Sequence, residues 1–239
     1  MNHSIVFIHG SGDSAYIWRL QIEHFGTDRA FAIDLPGHGQ RANTLPDEVG
    51  VLDYARSVLA IITGELHLDH PIVAGHSLGG AIALMLGLEY ASELSGLILI
   101  GTGARLRVHP DLLESARITP QKAGHRLQEL AVAATSAASM PGILINEQVT
   151  PGPNMLYRDL AACNSFDIMT RIHEIQLPTL IICGTEDRLT PVKYSQYLHD
   201  KIVSSTLHII PDAGHYVMRE QPEAVNHVIE DWIDKKDCK

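Results

Sequence analysis

Six short apolar runs punctuate the chain, at residues 4–8, 30–33, 72–74, 97–100, 179–183 and 206–210. Those in the middle are apolar throughout rather than alternating, the pattern of strands covered on both faces. Between them, residues 16–24, 52–66, 78–90 and 192–201 carry apolar positions at helical spacing, and 222–233 does the same after the last run; Leu52, Ala55, Val58, Leu59 and Ile62 share one such face. Pro191 and Pro222 stand where a first helical turn accepts proline. Strand–helix alternation of this kind predicts an α/β architecture, a mostly parallel, doubly wound sheet of about six strands flanked by helices.

The rhythm breaks once. From 105 to 169 there is no strand pattern, only helical patches such as "QKAGHRLQELAVAATSAA" and a Pro/Gly break at "TPGPNM". We read 1–104 and 170–239 as one core and 105–169 as a helical insertion folded over one edge of the sheet, insertions of this length being commonly functional. No internal repeat or low-complexity tract occurs.

At 239 residues the chain suits one large domain, and 45% hydrophobic with 19% charged residues is a globular composition. The net charge of −10, with no Lys/Arg cluster able to track a phosphate backbone, argues against nucleic acid as a partner. Cys163, Cys183 and Cys238 are far apart, with neither a disulfide framework nor a CxxC metal site among them. The start, "MNHSIVFIHGSG", has no basic region and too short an apolar core for an export signal, and no apolar stretch approaches the ~20 residues that cross a bilayer. The expectation is a cytoplasmic protein without membrane contact; monomer and homodimer are not distinguishable at this level.

Chemistry enters at "VAGHSLGGA". Gly75-His76-Ser77-Leu78-Gly79 is a G-x-S-x-G, weak alone, but here it falls between a predicted strand and a predicted helix. A strand-to-helix turn at that point strains the serine backbone and tolerates only residues without bulk beside it. It lifts the hydroxyl above the carboxyl edge of the sheet and aims the Leu78 N–H at developing negative charge. A serine needs a base, and the base an orienting group. "IICGTEDRLTP" places Asp187 just past one strand, and "LHIIPDAGHY" places His215 past the last; the order Ser77, Asp187, His215 is one of the familiar triad orders. After the first strand, His9-Gly10-Ser11-Gly12 offers small residues whose backbone can face Ser77. The Ser11 amide, with Leu78, is the expected oxyanion hole, and Gly12 is the fallback.

Over nearly its whole length the chain resembles the α/β-hydrolase superfamily. "FIHGSGDSAYIW" matches the oxyanion loop, "AIDLPGHG" the next strand and turn, "VAGHSLGGA" the nucleophile elbow, "GTEDRLTP" the acid and "PDAGHYVMREQPE" the histidine loop. The resemblance implies that 105–169 is the family's variable cap. Members commonly carry two further strands before the HG loop, so a shortened, six-stranded sheet is expected here. Serine at the elbow sets the chain apart from the dehalogenases and epoxide hydrolases of this fold, which use aspartate there. The implied chemistry is hydrolysis of a small-molecule carboxylic ester through an acyl-enzyme, and "ELAVAATSAASMPGILI" in the cap suggests a small or medium apolar group. An enol-lactonase would use the same residues. Plant hydroxynitrile lyases are similar too, but a lysine follows their catalytic histidine where Tyr216 stands here; a small-ligand receptor retaining the triad is the non-enzymatic alternative.

Fourteen histidines invite a metal, yet none forms a ligand spacing on one helix, and no metal or cofactor is expected. His9, His38 and His76 sit in motif loops and read as residues that orient backbone, and His208 as a strand residue. Asp34 follows the second run and Glu186 neighbours the proposed acid; either could be mistaken for the triad carboxylate, but Asp187 has the better place in the motif. Tyr16 and Trp18 are expected to pack the first helix.

Overall fold

The apolar runs form strands whose alternate residues divide between two cores. The computed structural model describes residues 3–134, 136 and 154–237. Its strands are β1 (Ile5–Ile8), β2 (Ala30–Ile33), β3 (Ile72–His76), β4 (Gly96–Ile100), β5 (Thr179–Gly184) and β6 (Ser205–Ile210), all parallel, in the order β2-β1-β3-β4-β5-β6. The four inner strands are buried along their whole length, whereas the edge strands β2 and β6 are only partly covered. Val6, Ile8, Val73, Leu97, Leu99 and Ile181 face one layer. Ile5, Phe7, Ile72, Ile98, Ile100 and Ile182 face the other, as a two-residue period requires.

The first layer is built on α2 (Val51–Ala60), α3 (Leu78–Glu89) and α7 (Val192–Lys201). The second contains α1 (Arg19–Phe25) and α9 (Pro222–Asp237), with Trp18, Ile229 and Trp232 against the sheet. α2 runs on into a π turn at Ile61–Glu65, and a 3-10 turn, Ala15–Trp18, precedes α1, so the expected helix at 16–24 starts later. Ten of the twelve residues of α3 are buried, which is why that segment is apolar all round rather than on one face. Trp18 packs as expected, 4.9 Å from the Phe7 ring. Tyr16 does not: it is 49% exposed, its ring overlaid by the guanidinium groups of Arg19 and Arg219, since the 3-10 turn rotates it away from the core.

Between β4 and β5 the described chain forms α4 (Pro110–Ile118), α5 (Pro120–Ala131) and α6 (Met155–Ser165). α6 packs on α3, α4 and α5. The two ends of the segment meet at a single bridge between Arg105 and Asp167, reinforced by their ion pair (2.6 Å). Residues 135 and 137–153 lie outside the described part, and with them most of the "TPGPNM" break and the second half of the apolar stretch. α8 (Val217–Glu220) is a single turn after β6.

Candidate active site

The sheet order reverses between β1 and β3, the point at which open α/β sheets leave a crevice at their carboxyl edge. Both the oxyanion-loop candidate after β1 and the elbow after β3 open there. Ser77 has φ 54° and ψ −114°, a left-handed conformation strained for a residue with a side chain. It is held by its N–H on Ile100 O (3.0 Å) and by the Thr102 hydroxyl on its own carbonyl (2.8 Å). The flanking glycines are steric necessities: a Cβ on Gly75 would press on the Gly79 carbonyl, and one on Gly79 would press on the Ile8 carbonyl and lie 2.7 Å from His9 O. The "GxSxG" spacing is therefore the spacing at which β3, α3 and β1 touch.

Asp187, past β5, and His215, past β6, come together in the interior: His215 Nδ1 donates to Asp187 Oδ2 at 2.8 Å. Both are nearly sealed from solvent. Thr190 donates its hydroxyl to the same oxygen (2.8 Å), and the N–H groups of Leu189 and Thr190 fill Oδ1 (2.9 and 2.8 Å). Burial alone would raise the Asp187 pKa, but the His215 imidazole and these donors outweigh it and hold the carboxyl below its ordinary range. With Nδ1 committed to Asp187, the free lone pair of a neutral His215 is at Nε2. The His76 ring packs 4.6 Å from that of His215, and its Nε2–H donates to the His215 carbonyl (3.0 Å), so the residue before the serine braces the loop carrying the histidine. Burial, aided by His215, keeps His76 neutral by lowering its pKa well below the usual value.

Among the described residues the N–H groups of Ser11 and Leu78 have no acceptor, and Leu78 is the first residue of α3. The fallback is corrected: the Gly12 N–H donates to Asp159 Oδ2 (2.9 Å) and is not free. His9 orients this loop, donating from Nδ1 to Gly10 O (2.8 Å) and accepting the Leu35 N–H on Nε2 (3.0 Å). Burial brings its pKa down to about 4, so it is neutral at pH 7.

Asp159 gave no signal in the sequence. It is fully buried on α6 and accepts from Gly12 N–H, from His38 Nε2 (2.8 Å) and from the Tyr54 hydroxyl (2.5 Å). Burial would push its carboxyl up; the facing His38 imidazole and the donors bring it below the ordinary value. His38 answers in kind, its pKa raised because Asp159 outweighs desolvation. Arg158 completes the cluster with bonds to the Tyr54 hydroxyl, Asn43 and Pro36 O. One turn on, Cys163 Sγ lies 3.6 Å from Ser11 Oγ, its thiol pushed up by burial to about 12 and unreactive.

Asp34 and Glu186 are structural: Asp34 accepts the Ala15 and Gln40 N–H groups, and Glu186 the Ala134 N–H. No group of three or more His, Cys, Asp or Glu among the described residues could hold a metal ion. No described helix is long and apolar enough to cross a membrane.

The sequence profile of the alpha/beta hydrolase family matches residues 5–228. The chain belongs to this family. It is 34% identical to a solved protein described as a thermophilic esterase, with a TM-score of 0.84 over 98% of this chain and 90% of that one. A putative carbamate hydrolase, RutD, of Rhizobium rhizogenes is 28% identical over 95% of this chain and 90% of its own length. A 3-oxoadipate enol-lactonase of Acinetobacter baylyi is 26% identical over 95% and 87%. The chain thus has the α/β-hydrolase fold, with a parallel six-stranded sheet of its own, and its relatives carry different named activities.

Proposed function

We propose that the protein is a serine hydrolase cleaving carboxylic esters of small to medium apolar substrates through an acyl-enzyme, with the helices in 105–169 as the cap over the site. The observation that carries this reading is the buried Asp187–His215 hydrogen bond on Nδ1, which leaves Nε2 for the Ser77 hydroxyl at the strained elbow. His215 takes the Ser77 proton as Oγ attacks the carbonyl carbon. The oxyanion is received by the Ser11 and Leu78 N–H groups. The tetrahedral intermediate collapses, His215 passes its proton to the departing alkoxide, and the acyl group stays on Ser77. Water, deprotonated by the same histidine, then releases the acid. Asp187 holds the imidazole in the required tautomer and stabilises its cation.

A lactone is a cyclic ester, and the enol-lactonase relative supports lactone hydrolysis as the second reading with the same residues. A p-nitrophenyl ester series from acetate to dodecanoate, run on the wild type and on Ser77→Ala, tests the first. Turnover peaking at short or medium chains and falling on the order of 10⁴-fold or more in the variant is the expected result. Equal rates in both proteins would remove Ser77 from the mechanism. Lactone turnover without ester turnover would move the second reading ahead.

A further inference from the structure

The triad leaves one ionisable pair at the site unused. Asp13 closes the loop after β1 and accepts on Oδ2 the hydroxyl of Tyr216, the residue that follows His215 (2.9 Å). A Cβ built on Gly10 would lie 3.2 Å from Ser77 Cβ and 3.4 Å from Asp13 Oδ2, so only Gly10 stands between that carboxyl and the elbow. Asp13 is half-buried. Among the described residues its second oxygen, Oδ1, has no hydrogen-bond partner, and it is not sealed from solvent. No lysine or arginine forms an ion pair with Asp13 among the described residues.

A carboxyl here without an ion-pair partner, with the Arg219 guanidinium acting on it only from beyond salt-bridge distance, needs an explanation. Burial raises its pKa to about 6, against the Tyr216 hydrogen bond and the nearby His215, so above neutrality it is mostly ionised. A negative charge this close to the oxyanion opposes the charge that develops in the transition state. The opposition vanishes if the substrate brings a positive hydrogen-bond donor to face it. Polar groups in otherwise apolar pockets set orientation and specificity in this way. A substrate carboxylate, by contrast, would add a like charge.

We propose that Asp13, held by Tyr216, is a substrate subsite for a hydrogen-bond donor, above all a protonated amine, on an otherwise apolar ester, and that it rejects esters bearing a carboxylate. The inference rests on the serine-hydrolase reading and narrows its substrate class. Tyr216 fixes the carboxyl through Oδ2 and leaves Oδ1 for the ligand.

Two matched ester sets test it at pH 7.5. One comprises the acetates of 3-methylbutanol, 2-(dimethylamino)ethanol and 3-hydroxypropanoate. The other comprises methyl 4-methylpentanoate, methyl 3-(dimethylamino)propanoate and monomethyl succinate. In the wild type, kcat/KM in at least one set should run amine above uncharged above carboxylate, with at least tenfold between the extremes. Asp13→Asn should compress that ratio at least fivefold, whatever its overall rate, and Asp13→Ser provides a second variant should the first fold poorly. Unchanged ratios in the variant, or no charge preference in the wild type, would overturn the subsite while leaving the hydrolase reading intact. Should the wild type hydrolyse none of the esters, the hydrolase reading falls by itself. Calorimetric binding of the N-methylamide analogues then decides Asp13: the amine order, lost in Asp13→Asn, supports the subsite, and its absence refutes it.

Discussion

Replacing Gly79 by alanine separates the geometry of the elbow from the general packing of α3. The added Cβ would stand 2.7 Å from His9 O and closer still to Ile8 O, where real Cβ atoms keep 3.0 Å or more. Both obstacles are backbone of β1 and its loop, so neither can rotate away. The start of α3 must therefore lift by about 0.5–1 Å, at an overpacking cost of about 1–3 kcal/mol. Alanine's lower unfolded-state entropy offsets about 0.4–1 kcal/mol of that. The net loss, at most about 2.5 kcal/mol, corresponds to a Tm drop of no more than about 10 °C for a chain of this size. Activity should suffer far more. The displaced turn carries the Leu78 N–H, one of the two proposed oxyanion donors, and losing one such donor costs about 10²–10³-fold in kcat. The assay is kcat/KM on a p-nitrophenyl ester beside a thermal melt, with Gly87→Ala as control: Gly87 lies on the same helix, but its Cβ would meet the movable Leu97 side chain at 2.7 Å. Equal activity losses in the two variants, or wild-type activity in Gly79→Ala, would refute the argument that this contact sets the oxyanion geometry.

Asp187→Asn should keep the fold but lower kcat by about 10⁴-fold, because Asn cannot hold the same His215 tautomer; steady-state kinetics beside an unchanged circular dichroism spectrum check this. Asp159→Leu, which leaves His38 buried opposite an apolar side chain, should destabilise by about 3–5 kcal/mol in urea melts, and a loss below 1 kcal/mol would show that the cluster is dispensable. Acid stability carries two opposing terms. His9, held near 4 when folded, binds its proton only in the unfolded chain as pH falls from about 6.5 to 4, which removes up to about 3 kcal/mol of stability; Asp13, raised to about 6, takes up a proton in the folded state over the same interval and returns part of it. Urea midpoints of Asp13→Asn should therefore fall more steeply than wild type between pH 7 and pH 4.5, and parallel curves would contradict the assignment. Leu84→Ala, on the fully buried face of α3, should cost about 2–5 kcal/mol by the same melts without altering the Asp187–His215 pair.

What the sequence disclosed follows the range of each interaction. The buried strands were legible because covering both faces demands an uninterrupted apolar run, and α3 because its length excludes a strand. Asp187 and His215 were legible only because each falls just past a strand of a sheet whose carboxyl edge is shared. The bond between them, like the Thr190 donation, arises from the β5–β6 pairing and not from any local pattern. Asp159 lies 147 positions from Gly12 and 121 from His38, inside a segment with no strand rhythm to anchor it. Nothing short of the folded chain shows that its carboxylate belongs with the loop after β1. Tyr16 was misplaced for a related reason: periodicity counts residues as if every turn were α-helical, and a 3-10 turn advances each residue by a larger angle.

The grip of α6 on the loop after β1 bears on how this scaffold can be re-engineered. Its Asp159 and Cys163 touch Gly12 and Ser11, and α4 reaches the core mainly through α6, while the end of α5 enters the core directly at Ala131, whose carbonyl accepts the His215 N–H (2.6 Å). The helices between β4 and β5 are thus not one interchangeable module. α4 and the first turns of α5 can be redrawn for a new ligand shape, but the end of α5 holds the His215 backbone and must stay. A graft that replaces α6 would have to bring its own carboxylate to the Gly12 amide and to His38, or rebuild the loop after β1 at the same time. A chimaera that keeps residues 130–132 and resumes the native chain just before Met155 respects both ties, and a joint placed after Ser165 cuts across one of them.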